Sequence, residues 1–196
     1  MTFLTETELR NLGFKSLGKN VLISDRASLY GTDSMSIGNN CRIDDFACLS
    51  GQILMKNNVH IANSTTVIAG TSLILFEDFS GLSSGCRVYS QTDDYSGSSL
   101  TNPTVPKGFR NIFSADVKFG RHVIIGTNSV ILPGVEIGDG AAVAAMSLVN
   151  KNLDSWGIYA GIPVRKIKER KRDLLELETS YWNSIEAITY IQKEHE

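Results

Sequence analysis

The chain has 196 residues, 42% of them hydrophobic, and a formal net charge of −2. That length and balance predict one soluble domain with a small appendage, and a near-neutral chain gives no reason to expect nucleic acid. No stretch is long and apolar enough to insert in a membrane, and residues 1–12 lack signal-peptide anatomy, so a cytoplasmic protein is expected. Cys41, Cys48 and Cys86 are an odd set without a CxxC spacing, and His60, His122 and His195 are scattered. Reduced thiols and no metal are therefore expected.

Residues 5–12, T-E-T-E-L-R-N-L, fit a short helix. Thr5 is its cap, Glu8 the capping-box partner and Gly13 the stop. An apolar residue then recurs at every sixth position. Ile23 and Leu29 lead, after a two-residue insertion, to Ile37, Ile43, Leu49, Met55, Ile61 and Val67. A three-residue slip leads to Phe76, Leu82 and Val88. Smaller residues stand four positions after them, at Ala27, Cys41, Ala47, Thr65, Thr71, Ser80 and Cys86.

The pattern stops over residues 89–116, a polar stretch holding two of the four prolines. A loop this long inside a regular repeat is usually functional. The repeat resumes at Phe119, Ile125, Ile131, Ile137, Val143 and Val149, with Val123, Ser129, Val135, Ala141 and Ser147 in the small slots. Period six fits neither an α-helix nor a simple strand. It is the signature of a β-helix, one short strand and one turn per hexad, three hexads per coil. Five to six coils are expected, with every one of these apolar side chains inside. From about Arg172 to Gln192, Leu174, Leu175, Leu177, Tyr181, Ile185, Ile188 and Ile191 fit an amphipathic helix that packs on the coil or on a partner chain.

The hexads followed by Y-A-G-I-P-V-R-K-I-K resemble the hexapeptide-repeat acyltransferases, above all the galactoside/maltose acetyltransferases and the sugar O-acetyltransferases of surface-polysaccharide pathways. The resemblance covers roughly residues 17–170. It implies a left-handed parallel β-helix, a homotrimer and acetyl-CoA as donor, with sites in clefts between neighbouring coils. The expected parts are a lead-in over 1–16, the β-helix over 17–168 and a C-terminal helix over 169–196. By match to the family's motifs, Ile124, Thr127 and Ala145 line the pantetheine arm. Asn150 and Lys151 match a threonine–lysine pair, and Arg165 and Lys168 match two basic residues that meet the nucleotide phosphates. The chemistry of the basic set agrees, since cationic side chains pair with phosphate. Ala144 and Met146 stand where the family has glycines.

Attack on a thioester by an alcohol or amine requires loss of a proton, and histidine is the usual acceptor near neutral pH. The galactoside group carries that histidine at the start of the long loop, where this chain has Asp93 and Asp94. Hexad arithmetic instead puts His60 on the outside of one prism face, in a column of Leu22, Arg42, His60, Gly81, Ile124 and Ala142, with Gly81 leaving a slot beside the ring. His60 is thus the leading candidate for the base. Asp93 or Asp94 could orient it or act in its place, and His122, at a corner, is the weaker alternative.

Together these features predict an acetyl-CoA-dependent O-acetyltransferase acting on a sugar or polysaccharide precursor. The alternative is an N-acetyltransferase for a nucleotide-linked amino sugar. A γ-carbonic-anhydrase-like enzyme would need three converging histidines. A non-catalytic scaffold would leave the loop and the basic C-terminal motif without a purpose.

Overall fold

The computed structural model describes residues 2–184. Its body is a three-faced parallel β-helix. The first face stacks Ser16–Leu17, Ser36–Ile37, Ile53–Met55, Ile74–Phe76, Val117–Phe119 and Glu136–Ile137. The second stacks Leu22–Ile23, Arg42–Ile43, His60–Ile61, Gly81–Leu82, Ile124–Ile125 and Ala142–Val143, and is extended by Gly157–Ala160 and the antiparallel Arg165–Glu169. The third stacks Ser28–Tyr30, Cys48–Ser50, Thr66–Ile68, Arg87–Tyr89, Val130–Ile131 and Leu148–Val149. Six strands per face make a stack about 24 Å tall at the usual strand spacing of about 4.8 Å. The first coil begins at Leu17, six residues before Ile23, so the count is six coils, the upper end of the five to six expected.

The hexad residues do what period six requires. Ile23, Ile43, Leu49, Ile61, Val67, Phe76, Val88, Ile125, Ile131 and Val149 are fully buried, and the remaining hexad positions except Leu29 are nearly so. Leu29, in the end coil, is only partly buried, because one of its neighbours in the stack is missing. Phe76 stacks on Phe119 inside the prism with ring centroids 4.5 Å apart. The small slots hold as well, and burial pushes the Cys41 thiol up to about 11. Thr71 departs from expectation. It is exposed, because the three-residue slip makes residues 71–72 part of a turn and Ile74 takes the inward place.

The corner between the first and second faces is tied coil to coil by side chains. Asp78 accepts the Asn57 backbone N–H at 2.7 Å, Asn57 accepts the Asn39 N–H at 3.0 Å, and Asn39 accepts the Lys19 N–H at 2.8 Å. Each bond satisfies a corner amide that no strand ladder reaches.

Helix α1, Glu6–Asn11, has the expected capping box between Thr5 and Glu8, and Gly13 beyond it sits at φ +67°. The long loop is not irregular throughout. Gln91–Thr92 pairs antiparallel with Phe113–Ser114 at its base. Helix α2, Leu174–Asn183, covers the first half of the expected C-terminal helix; Ile185, Ile188 and Ile191 lie outside the described residues. It rests on the coil through Glu178 and Tyr181, while Leu177 and Trp182 are exposed.

Candidate active site

The outward column of the second face is as the hexad arithmetic places it. Leu22 pairs with Arg42, Arg42 with His60, His60 with Gly81, Gly81 with Ile124, and Ile124 with Ala142. Beside it runs a cleft of about 500 Å³. His60, Ile124 and Thr127 line it, together with Asn58, Phe79 and Ser84. The structure thus brings the candidate base and two candidate pantetheine contacts to one wall. His60 is half exposed, as a group that must meet substrate should be.

The group that holds His60 was not among the candidates. Asp44, on the neighbouring coil, places Oδ2 2.8 Å from His60 Nε2. Its Oδ1 accepts a bond of 2.6 Å from Arg42 Nε. The Asp44 side chain is 8% exposed, and Arg42 lies over the Phe3 ring at 5.4 Å. A buried carboxylate needs such partners to stay charged. The sequence held one signal for this arrangement: Asp44 follows the inward Ile43 in the strand next to His60, within reach of a short side chain.

Asp93 and Asp94 do not meet His60 and do not line the cleft. Both are engaged inside the loop. Asp94 accepts the Ser96 N–H at 2.8 Å and the Ser98 and Ser99 hydroxyls at 2.7 and 3.1 Å. These bonds, led by those from Ser96 and Ser98, hold its carboxyl well below the usual range. Asp93 accepts the Asn102 N–H at 3.2 Å. Within one chain they organise the loop, and the carboxylate that meets His60 there is Asp44. His122 also has a structural place. Its Nε2 lies 2.8 Å from Glu178 and its ring stacks on Phe79 at 5.0 Å.

Ser84 is the other residue that sequence reasoning passed over. It lines the cleft and donates a 2.6 Å bond to Asn63. It stands one residue past Ser83 in a turn, where the hexad pattern carries no signal.

The basic candidates gather at the far end of the coil. Asn150, Lys151 and Arg165 line a hollow of about 410 Å³. Lys168 shares the strand of Arg165 and pairs with Ile158. Among the described residues, Lys151, Arg165 and Lys168 have no carboxylate partner, so their charges are available to an anion. Ala145 is exposed at a corner of the coil and lines neither hollow. A Cβ on Gly126 would come 2.4 Å from the Ala145 amide nitrogen, so glycine is required where these coils meet.

Residues 116–151 match the bacterial transferase hexapeptide (six repeats) family. The chain is 44% identical over 184 residues to dTDP-4-amino-4,6-dideoxy-D-glucose acyltransferase of Escherichia coli, covering 92% of this chain and 95% of the relative. It is 48% identical to AntD, an N-acyltransferase from Bacillus cereus crystallised with dTDP and 3-hydroxybutyryl-CoA. That superposition has a TM-score of 0.91 and covers 93% of this chain and 97% of AntD. Likeness to the galactoside O-acetyltransferase of E. coli (strain K12) is confined to 58 residues at 40% identity, 30% of this chain and 29% of that one.

Proposed function

The chain belongs to the hexapeptide-repeat acyltransferases, and from that premise we propose that it is an N-acyltransferase. It would move an acyl group from acyl-CoA to the amino group of a dTDP-linked 4-amino-4,6-dideoxy sugar. The observation that carries this reading is likeness, through nearly the whole chain, to an amino-sugar acyltransferase and to an N-acyltransferase crystallised with dTDP and, in another structure, with dTDP-4-amino-4,6-dideoxyglucose. The O-acetyltransferase reading, placed first from sequence, has only more distant support: 40% identity to the galactoside enzyme over 58 residues, and 25% identity over 176 residues to a putative lipopolysaccharide O-acetyl transferase of E. coli (strain K12). Hexads are shared by both kinds of enzyme, so a short hexad match speaks for the coil and not for the acceptor.

The donor fits the residues present. Ile124, Thr127 and Ala145 would take the pantetheine arm, and Asn150, Lys151, Arg165 and Lys168 the phosphates. The acyl group is expected to be acetyl from sequence; the 3-hydroxybutyryl-CoA bound by AntD makes a longer acyl group an equal candidate. A cytoplasmic setting goes with this reading, because acyl-CoA is a metabolite of that compartment. A homotrimer also goes with it. In one chain the cleft lies open and Ile124 is 48% exposed, and Asp93 and Asp94 would reach a site only on a neighbouring copy.

His60 is the proposed base. The sugar amine attacks the thioester carbonyl carbon while His60 takes a proton from the nitrogen. The C–S bond then breaks, and the departing thiolate recovers the proton as the free thiol. An amine is a better nucleophile than an alcohol, so the base is asked for less than in O-acetylation. The deciding experiment offers dTDP-4-amino-4,6-dideoxyglucose and a panel of unmodified sugars to the protein, with acetyl-CoA and 3-hydroxybutyryl-CoA in turn. Thiol release with the amino-sugar nucleotide alone supports the reading. Release with an unmodified sugar alone overturns it.

A further inference from the structure

Resting on the reading of His60 as base, we propose that Asp44 is its positioning residue and that the reacting nitrogen is Nδ1. An ionised carboxylate only accepts hydrogen bonds. With Asp44 Oδ2 2.8 Å from Nε2, the ring proton belongs on Nε2. The lone pair then falls on Nδ1, which makes no hydrogen bond among the described residues.

Arg42 is what lets the carboxylate do this. Asp44 is nearly buried, and its second oxygen accepts from Arg42 Nε at 2.6 Å. The arginine supplies the opposite charge that burial demands, and Phe3 packs over its other side. Asp45, next in the chain, is turned away to Ser24 and Arg26. Across the cleft, Asn58, Phe79, Ser84, Ile124 and Thr127 bring no charge. His60 is the one titratable side chain among the described residues that line it, so Asp44 and Arg42 are the charges that fix its form.

The arrangement does two things for the reaction. It keeps the neutral ring in the tautomer that can accept a proton from the amine. It also places a negative charge against the imidazolium that forms, until the proton passes to the departing thiolate. Neither effect needs Asp44 to touch substrate.

The test is nitrogen-15 NMR of the labelled full chain, with His60→Ala assigning the signal, beside turnover with the dTDP-amino sugar. Wild-type His60 is expected as the Nε2–H tautomer in its neutral form. In Asp44→Asn the amide NH2 can donate to Nε2, so the proton moves to Nδ1. Turnover should then fall by about 10²–10⁴-fold with acyl-CoA affinity unchanged. The double variant Asp44→Asn, His60→Ala should be no slower than His60→Ala, because the two act as one unit. An Nδ1–H tautomer in the wild type overturns the proposal without any variant having to fold. So does wild-type turnover by Asp44→Asn when His60→Ala is inactive. Full turnover by His60→Ala instead overturns the base reading, and Asp44 loses its role with it.

Discussion

Gly81 lies in register beside His60 on the neighbouring strand, and a Cβ placed on it would come 3.3 Å from the His60 carbonyl oxygen and 3.8 Å from its Cβ. The imidazole therefore borders a slot that any larger outward side chain would fill. Gly81→Val tests whether reaction occurs there. Valine is at home in a strand and the contact asks for a shift of only a few tenths of an ångström, so thermal stability should change little. Turnover should fall by about 10²-fold, the usual penalty for displacing a reacting group by an ångström. Unchanged turnover would move the chemistry elsewhere on the coil.

The donor prediction follows from the free charges at the coil's end. Arg165 and Lys168 are exposed, and an exposed charge contact is worth up to about 1 kcal/mol. Replacing both by alanine should weaken acyl-CoA binding about 10- to 30-fold by calorimetry. The loss should shrink as salt is raised, because exposed charges are screened. Unchanged affinity would return both residues to the solvated face of their strand.

Assembly is read by sedimentation. A trimer, three times the 21.5 kDa chain, is expected at micromolar concentration. Ile124, 48% exposed on the wall of the cleft, gives a second copy an apolar side chain to cover. A monomer would leave the His60 cleft without its opposite wall.

The coil was legible because period six states its own geometry. Each hexad residue has one inward direction, and Gly126 and Gly138 mark corners where coils nearly touch. The same arithmetic put His60 on the cleft wall with Ile124 and fixed Gly81 as its neighbour. What stayed hidden was whatever depends on side-chain reach across coils. The Asp44–His60 contact joins residues 16 apart, and nothing in a hexad says that a turn carboxylate points at the next strand. The loop aspartates are a different case: within one chain Ser96, Ser98 and Ser99 hold Asp94, and any role of Asp93 or Asp94 at a site depends on a neighbouring copy, which a single sequence does not display. The relatives favour the alternative acceptor over the one placed first, and the sequence could not rank them because the hexads that dominate it are common to both chemistries.

The last prediction concerns α2, held by a carboxylate buried against the coil. Glu178 is 10% exposed, 2.8 Å from His122 Nε2, paired with Arg121 and bonded to Trp182 Nε1 at 3.2 Å. Burial alone would raise its pKa. The bonds from His122 and Trp182 and the charge of Arg121 outweigh burial and hold it below the ordinary 4.5. A carboxyl depressed in the folded state stabilises above its unfolded value and loses that contribution as pH falls through the folded value. Docking of α2 should therefore be steady from neutral pH to about 4.5 and weaken below it. Trp182 reports the change directly in a Trp156→Phe background, since the chain has two tryptophans. Glu178→Gln keeps the shape and loses the charge, so it should cost about 1–3 kcal/mol at neutral pH, the range for a hydrogen bond to a charged group. It should also abolish the acid step in Trp182 fluorescence. Glu178 makes no contact with Asp44 or His60, although Phe79 and Asn58 of the cleft touch His122 and Tyr181, so turnover should change less than in Asp44→Asn. An acid step that persists in Glu178→Gln would assign it to another carboxylate.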